Sequence, residues 1–111
     1  MKKKIKKYKE NIILDNLKII TAIKILNKVK LKTLIVIDKN NKLIGTLTDG
    51  DIRRALLKGH SVNNSIFSIV NKKPIKKKIG KELIKFKGAK IIPLVDNNNK
   101  VINIEVKEKK K

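Results

Sequence analysis

Residues 34–59, "LIVIDKNNKLIGTLTDGDIRRALLKG", carry the pattern on which the fold turns. The run TLIVID (33–38) is short, nearly all apolar and rich in β-branched residues, which predicts a strand buried on both faces. KNNK supplies a tight turn, and LIGTLT (43–48) returns as a second strand. DGDIRRALLKG then opens with carboxylates suited to a helix N-terminus and closes at Gly59, a natural residue just past a helix end. Upstream, Asp15 or Asn16 is placed to cap a helix over about 17–29, with Ile19, Ala22, Ile23 and Leu26 on one face.

The same order recurs downstream. A linker with a short helix near 64–70 leads to an extended segment from Pro74 and Ile75, and KELIKF (81–86) predicts a helix of about two turns. KIIPLVD (90–96) then mirrors KTLIVID, NNNK mirrors KNNK, and VINIEV (101–106) mirrors LIGTLT. Two copies of helix–strand–turn–strand form an internal repeat, and each copy alone would expose an apolar sheet face. The halves are therefore expected to pack together about a pseudo-twofold axis, giving an α/β (α+β) fold with a truncated second repeat. The organisation reads as a basic tail (1–9), a first repeat (10–62), a degenerate second repeat (63–106) and a basic tail (107–111). Ile66 and Phe67 in the linker read as core.

Composition bounds what such a domain can do. The chain has 111 residues, 41% hydrophobic but only 3% aromatic, so its core rests on Ile, Leu and Val. No stretch approaches the roughly 18 apolar residues of a membrane span, and the basic start lacks the apolar run of a signal peptide. The absence of cysteine excludes disulfides and thiolate metal sites and fits a cytoplasmic protein. The net charge of +21 suits a polyanionic partner such as RNA, DNA or an anionic surface. Against that, only Arg53 and Arg54 are arginine, and the stacking aromatics of single-strand binders are nearly missing. A basic nucleic-acid binder therefore stands as an alternative. His60, the one histidine, has no companion ligands for a metal and no nucleophile to serve, so it reads as a helix-end residue.

The chemistry concentrates at the second strand's exit. The first N–H groups of a helix are unpaired and its N-terminus is electropositive, so an anion can dock there. Thr48 can bond a phosphate oxygen, Asp51 can accept both hydroxyls of a ribose, and Gly45 can let a ligand approach the backbone. Equally, Thr48, Asp49 and Asp51 are ordinary capping residues, and Gly45 can mark a bulge. The residues alone leave both readings open.

The twin units, with Gly45-x-x-Thr48-x-x-Asp51 closing the first, resemble a CBS-domain pair (a Bateman module) over about residues 10–106. That resemblance implies a non-catalytic regulatory module, commonly a homodimer, that binds AMP, ADP or ATP and needs no other cofactor. A ligand-free dimerisation scaffold of the same fold is the alternative within it. By matching position, Thr48 would meet phosphate and Asp51 ribose, and Lys32, Thr33 and Thr46 would line the same cleft. Ile75, Lys76 and Lys90 would approach it from the opposite repeat. The second copy departs from the pattern, with Asn103, Val106 and Lys109 at the matching places, which implies at most one competent cleft. TDGDIRRALLKG followed by KVINIEV is most similar to the CBS pairs that precede sugar-phosphate nucleotidyltransferase domains, where a glutamate stands at the place of Glu105. In such a protein a Gly-rich GGxGTRL-type loop would follow.

Overall fold

A computed structural model describes residues 9–78 and 91–106. The tails, the KELIKF segment, Lys90 and Lys109 lie outside them. Strands β1 (Ile12–Leu14), β2 (Thr33–Ile37) and β3 (Leu43–Thr48) form one sheet with helices α1 (Ile19–Lys28) and α2 (Asp49–Leu57). Strands β4 (Lys77–Lys78), β5 (Ile91–Val95) and β6 (Val101–Val106) form a second sheet. Each sheet pairs its first two strands in parallel and its last two antiparallel.

The strand–turn–strand part of the expected repeat is present down to its register. Thr33 opposes Thr48 as Ile91 opposes Val106, and a bulge falls at Val36/Ile37 in one sheet and at Leu94/Val95 in the other. Because of the bulge, Leu43 turns to the same sheet face as Ile35, and both join Ile91, Val95, Val101 and Ile104 in a core between the sheets. The other face of β2 and β3 presents Leu34, Val36 and Leu47 to Ile19, Ala22 and Leu26 of α1 and to Ile52 of α2. Strand β2 is thus buried on both sides, and each such aliphatic side chain contributes about 1.5–3 kcal/mol.

A reciprocal clasp marks the pseudo-twofold axis. The backbone N–H of Leu43 donates to Asn99 O (2.9 Å) and that of Val101 to Asn41 O (3.0 Å). The side-chain amides repeat the exchange, Asn41 Nδ2 to Val101 O at 2.9 Å and Asn99 Nδ2 to Leu43 O at 3.1 Å. Both asparagines hold the left-handed conformation (φ 69° and 65°), which asparagine tolerates better than most residues. Within each turn an aspartate supports the backbone. Asp38 Oδ1 accepts from the N–H groups of Asn40 and Lys42, and Asp96 Oδ1 from those of Asn98 and Lys100.

Three local expectations are corrected. Helix α1 starts at Ile19 rather than 17, with Lys18 as N-cap and no side-chain cap from Asp15 or Asn16. Its first N–H groups are satisfied instead by distant carbonyls, Ile19 N to Asn64 O and Ile20 N to Val62 O, both at 2.9 Å. The linker helix is a single 3-10 turn, Ile66–Ser68, whose cap Ser65 accepts from Phe67 N–H. Only Ile66 of that turn is core; Phe67 is 49% exposed, with the Lys72 ammonium 4.4 Å above its ring.

Candidate functional site

Alternation along the strands builds the site. Leu47 faces the helices, so Thr46 and Thr48 take the opposite face, and Thr33 lies across the ladder from Thr48. At this end of the inter-sheet seam the three hydroxyls replace apolar packing, and a cavity of about 550 Å³ opens. Its walls comprise Lys30, Leu31, Lys32 and Thr33 from the approach to β2, Thr46 and Thr48 from β3, Asn71, Lys73 and Ile75 from the linker, and Ile91 from β5. That size is within the usual range for a small-molecule site.

The cavity brings together Thr33, Thr46, Thr48, Lys32 and Ile75 of the residues singled out in the sequence. Their commitments differ. Lys32 Nζ donates to Leu26 O (2.6 Å) and Val29 O (2.7 Å), so its charge is spent at the C-terminal end of α1. Thr48 Oγ1 accepts from Asp51 N–H (3.2 Å), which leaves its hydroxyl proton for a ligand.

Asp51 and Lys76 do not line this cavity. Asp51 Oδ2 accepts from Thr48 N–H (3.0 Å), completing a capping box with Thr48, and Oδ1 accepts from Arg54 at 2.9 Å. Its carboxylate borders a neighbouring groove of about 230 Å³ with Arg54, Lys58, His60 and Ser68. Lys76 Nζ donates to Asn99 Oδ1 (3.0 Å) at the hairpin clasp. Gly45 serves the chain rather than a ligand. Its missing Cβ admits the linker, where Thr46 N donates to Asn71 O (3.1 Å) and Asn71 N to Thr46 O (2.9 Å).

Lys30, Asn71 and Lys73 are cavity residues that the sequence reading missed. Asn71 and Lys73 come from a linker whose contact with β3 has no local signature. Lys30, two residues before Lys32, belongs to the same approach to β2 and could have been found there. His60 follows Gly59 (φ 101°), and its N–H donates to Ala55 O while Gly59 N–H donates to Leu56 O, the expected helix end. Among the described residues no cluster of His, Cys, Asp or Glu is suited to a metal, and no helix is long and apolar enough to cross a membrane.

The CBS domain family model matches residues 9–58, the span that contains the first sheet, both helices and Thr48. Residues 9–58 are similar to a CBS domain. The described residues have the fold of a CBS-domain pair. The chain is similar, at 27% identity and a TM-score of 0.68, to the CBS domain pair of protein MJ0100 in complex with 5′-methylthioadenosine and S-adenosyl-L-methionine, covering 86% of this chain and 82% of that one. It also resembles CbpB in complex with c-di-AMP in fold, with a TM-score of 0.77, 21% identity, and 86% and 70% of the two chains covered. An uncharacterized protein of Helicobacter pylori strain J99 is 33% identical over 82 residues, 68% of this chain but 25% of that protein. The chain thus spans about a quarter of the length of the curated relatives it matches.

The second CBS-like unit differs from the first where it matters chemically. Register equates Thr33, Thr46 and Thr48 with Ile91, Ile104 and Val106. Three hydroxyls become three aliphatic side chains that pack in or against the inter-sheet core. Glu105 occupies the place of the buried Leu47 and accepts from Lys77 Nζ at 3.1 Å.

Proposed function

We propose that this chain is a non-catalytic regulatory module that binds one adenosine nucleotide in the cavity between its two halves. The observation that carries the reading is the row of threonines, Thr33, Thr46 and Thr48, facing a cavity of suitable size beside the free hydroxyl proton of Thr48. The adenosine ligands of the MJ0100 pair and the cyclic dinucleotide of CbpB support the ligand class. In this reading Thr48 donates to a phosphate oxygen. Asp51 reaches the ribose only by exchanging its bond to Arg54, a side chain 65% exposed and easily displaced. Ile75 and Ile91 offer the apolar surface for the base. The second cleft stays without nucleotide.

Calorimetric titration with AMP, ADP and ATP tests the reading. One site per chain is expected, weakened at least about 10-fold by Thr48→Val, which removes the donor. A folded protein that takes up none of the three at millimolar concentration refutes it.

The finer reading makes the module a cytoplasmic homodimer acting on a sugar-phosphate nucleotidyltransferase domain. The exposed Leu56, Leu57 and Phe67 support the dimer, and the greater length of the relatives leaves room for a further domain in them. Light scattering tests the first, and the reading frame beyond codon 111 tests the second.

A further inference from the structure

The cavity is cationic, and its usable cations point to the kind of nucleotide it selects. Among the described residues three lysines line it and no carboxylate does. Lys32 is already bonded to the carbonyls of Leu26 and Val29. Of the lysines in the linker, Lys72 donates to Phe67 O (2.7 Å), Lys76 to Asn99 and Lys77 to Glu105. Lys73, unlike these three, makes no such bond among the described residues. Among the described residues its ammonium and that of Lys30 have no partner, and both border the cavity at exposed positions.

From this we infer that the site takes an adenosine polyphosphate, and that Lys30 and Lys73 hold the terminal phosphates. The inference rests on the nucleotide reading above and adds the charge of the ligand to it. One cation comes from the loop after α1 and the other from the linker joining the halves, so a phosphate chain set between them bridges two segments of the fold. A single phosphate is served by Thr48 and its neighbours and leaves these two ammonium groups solvated. A neutral nucleoside thioether has nothing to offer them, and a sulfonium adds a positive charge to an already positive cavity. The MJ0100 pair is bound to one ligand of each of these last two kinds, so this chain should differ from it in ligand charge.

The test is a titration of the full chain with ATP, AMP, 5′-methylthioadenosine and S-adenosyl-L-methionine at low and high salt. ATP is expected to bind about 10-fold or more tightly than AMP at low salt, with the gap closing as salt rises. The thioether and the sulfonium are expected to bind weaker than AMP. Lys73→Gln and Lys30→Gln should each cost ATP roughly 5- to 10-fold and leave AMP within about 2-fold, while Lys73→Arg retains ATP. Both side chains are exposed, and unchanged circular dichroism confirms that the variants fold. The inference is overturned if AMP or the thioether binds as tightly as ATP, or if both glutamine variants leave ATP unchanged. Failure of every ligand instead removes the nucleotide reading itself.

Discussion

Replacing Gly45 with alanine tests how the linker is fastened to the first sheet. A Cβ at this position would lie 2.5 Å from Val70 Cγ1 and 2.9 Å from the carbonyl carbon of Asn71, and closer still to that carbonyl's oxygen. Backbone atoms cannot yield as a flexible side chain does, so the linker has to move. Overpacking of this kind costs about 1–3 kcal/mol, and loss of the two Thr46–Asn71 hydrogen bonds adds about 1 kcal/mol each. A stiffer unfolded chain returns about 0.4–1 kcal/mol, for a net loss near 2–4 kcal/mol. At about 4–8 °C per kcal/mol, the midpoint of thermal unfolding should fall by at least about 8 °C. Urea unfolding followed by circular dichroism supplies the free energy. Two other glycines serve as controls. A Cβ on Gly50 meets only the guanidinium of Arg54, nearest atom 3.2 Å, so Gly50→Ala should gain about 0.5–1 kcal/mol of helix stability. Gly59→Ala has open space but a φ of 101°, and should lose about 1 kcal/mol from backbone strain alone. If Gly45→Ala unfolds within about 0.5 kcal/mol of wild type, the linker is not held as described.

Asn41→Ala and Asn99→Ala should each destabilise by about 1–2 kcal/mol, from strain at positive φ and a lost bond across the axis, as urea titration would show. The double variant should fall short of the sum of the two, because both changes open one clasp. Asp38 and Asp96 have pKa values below the ordinary carboxylate range, chiefly because the backbone N–H groups of Lys42 and Lys100 bond the ionised form; partial burial opposes this, and the further N–H groups of Asn40 and Asn98 assist it. A depressed folded-state value means stability that is present above the unfolded-state pKa and lost as the pH falls through the folded-state value. Asp38→Asn with Asp96→Asn should therefore flatten the acid limb of a stability profile, and an unchanged limb would refute the assignment. Thr48→Ser should keep the capping box and leave stability unchanged, whereas Thr48→Val should lose about 1 kcal/mol in the same unfolding assay.

The features legible in the sequence were those whose causes are local. TLIVID announced a strand buried on both faces because every side chain in its centre is apolar, and Gly59 marked the end of α2 because a left-handed residue is needed there. The start of α1 was misplaced because Asp15 and Asn16 are good caps, yet the helix borrows carbonyls of Val62 and Asn64, more than 40 residues away. Phe67 was assigned to the core on hydrophobicity, but a one-turn 3-10 segment can bury only one of its side chains, and Ile66 takes that place. The cavity followed the same rule. Thr48 is legible at the strand-to-helix junction and Thr33 and Thr46 through the family resemblance, whereas Asn71 and Lys73 depend on a linker seated by the absence of a Cβ at Gly45.

The repeat explains why the threonine-lined cleft opens at the first sheet's end of the seam. Equal register on the two sides of the axis means that each sheet sends three equivalent side chains into the seam, and the seam cannot tell which sheet supplied them. Aliphatic side chains at all six places would close both ends of the seam as continuous core. Hydroxyls at all six would open both ends and remove that part of the inter-sheet core, leaving Ile35, Leu43, Val95 and Val101 to hold the sheets together. The sequence takes the intermediate course. Ile91, Ile104 and Val106 bind the sheets, and Thr33, Thr46 and Thr48 yield some of that packing to leave a cavity. The departure of the second copy from the Thr-x-x-Asp pattern therefore stabilises the scaffold on which the first copy's threonines are displayed. Threonines at 91, 104 and 106 would accordingly weaken the fold before they created a second site.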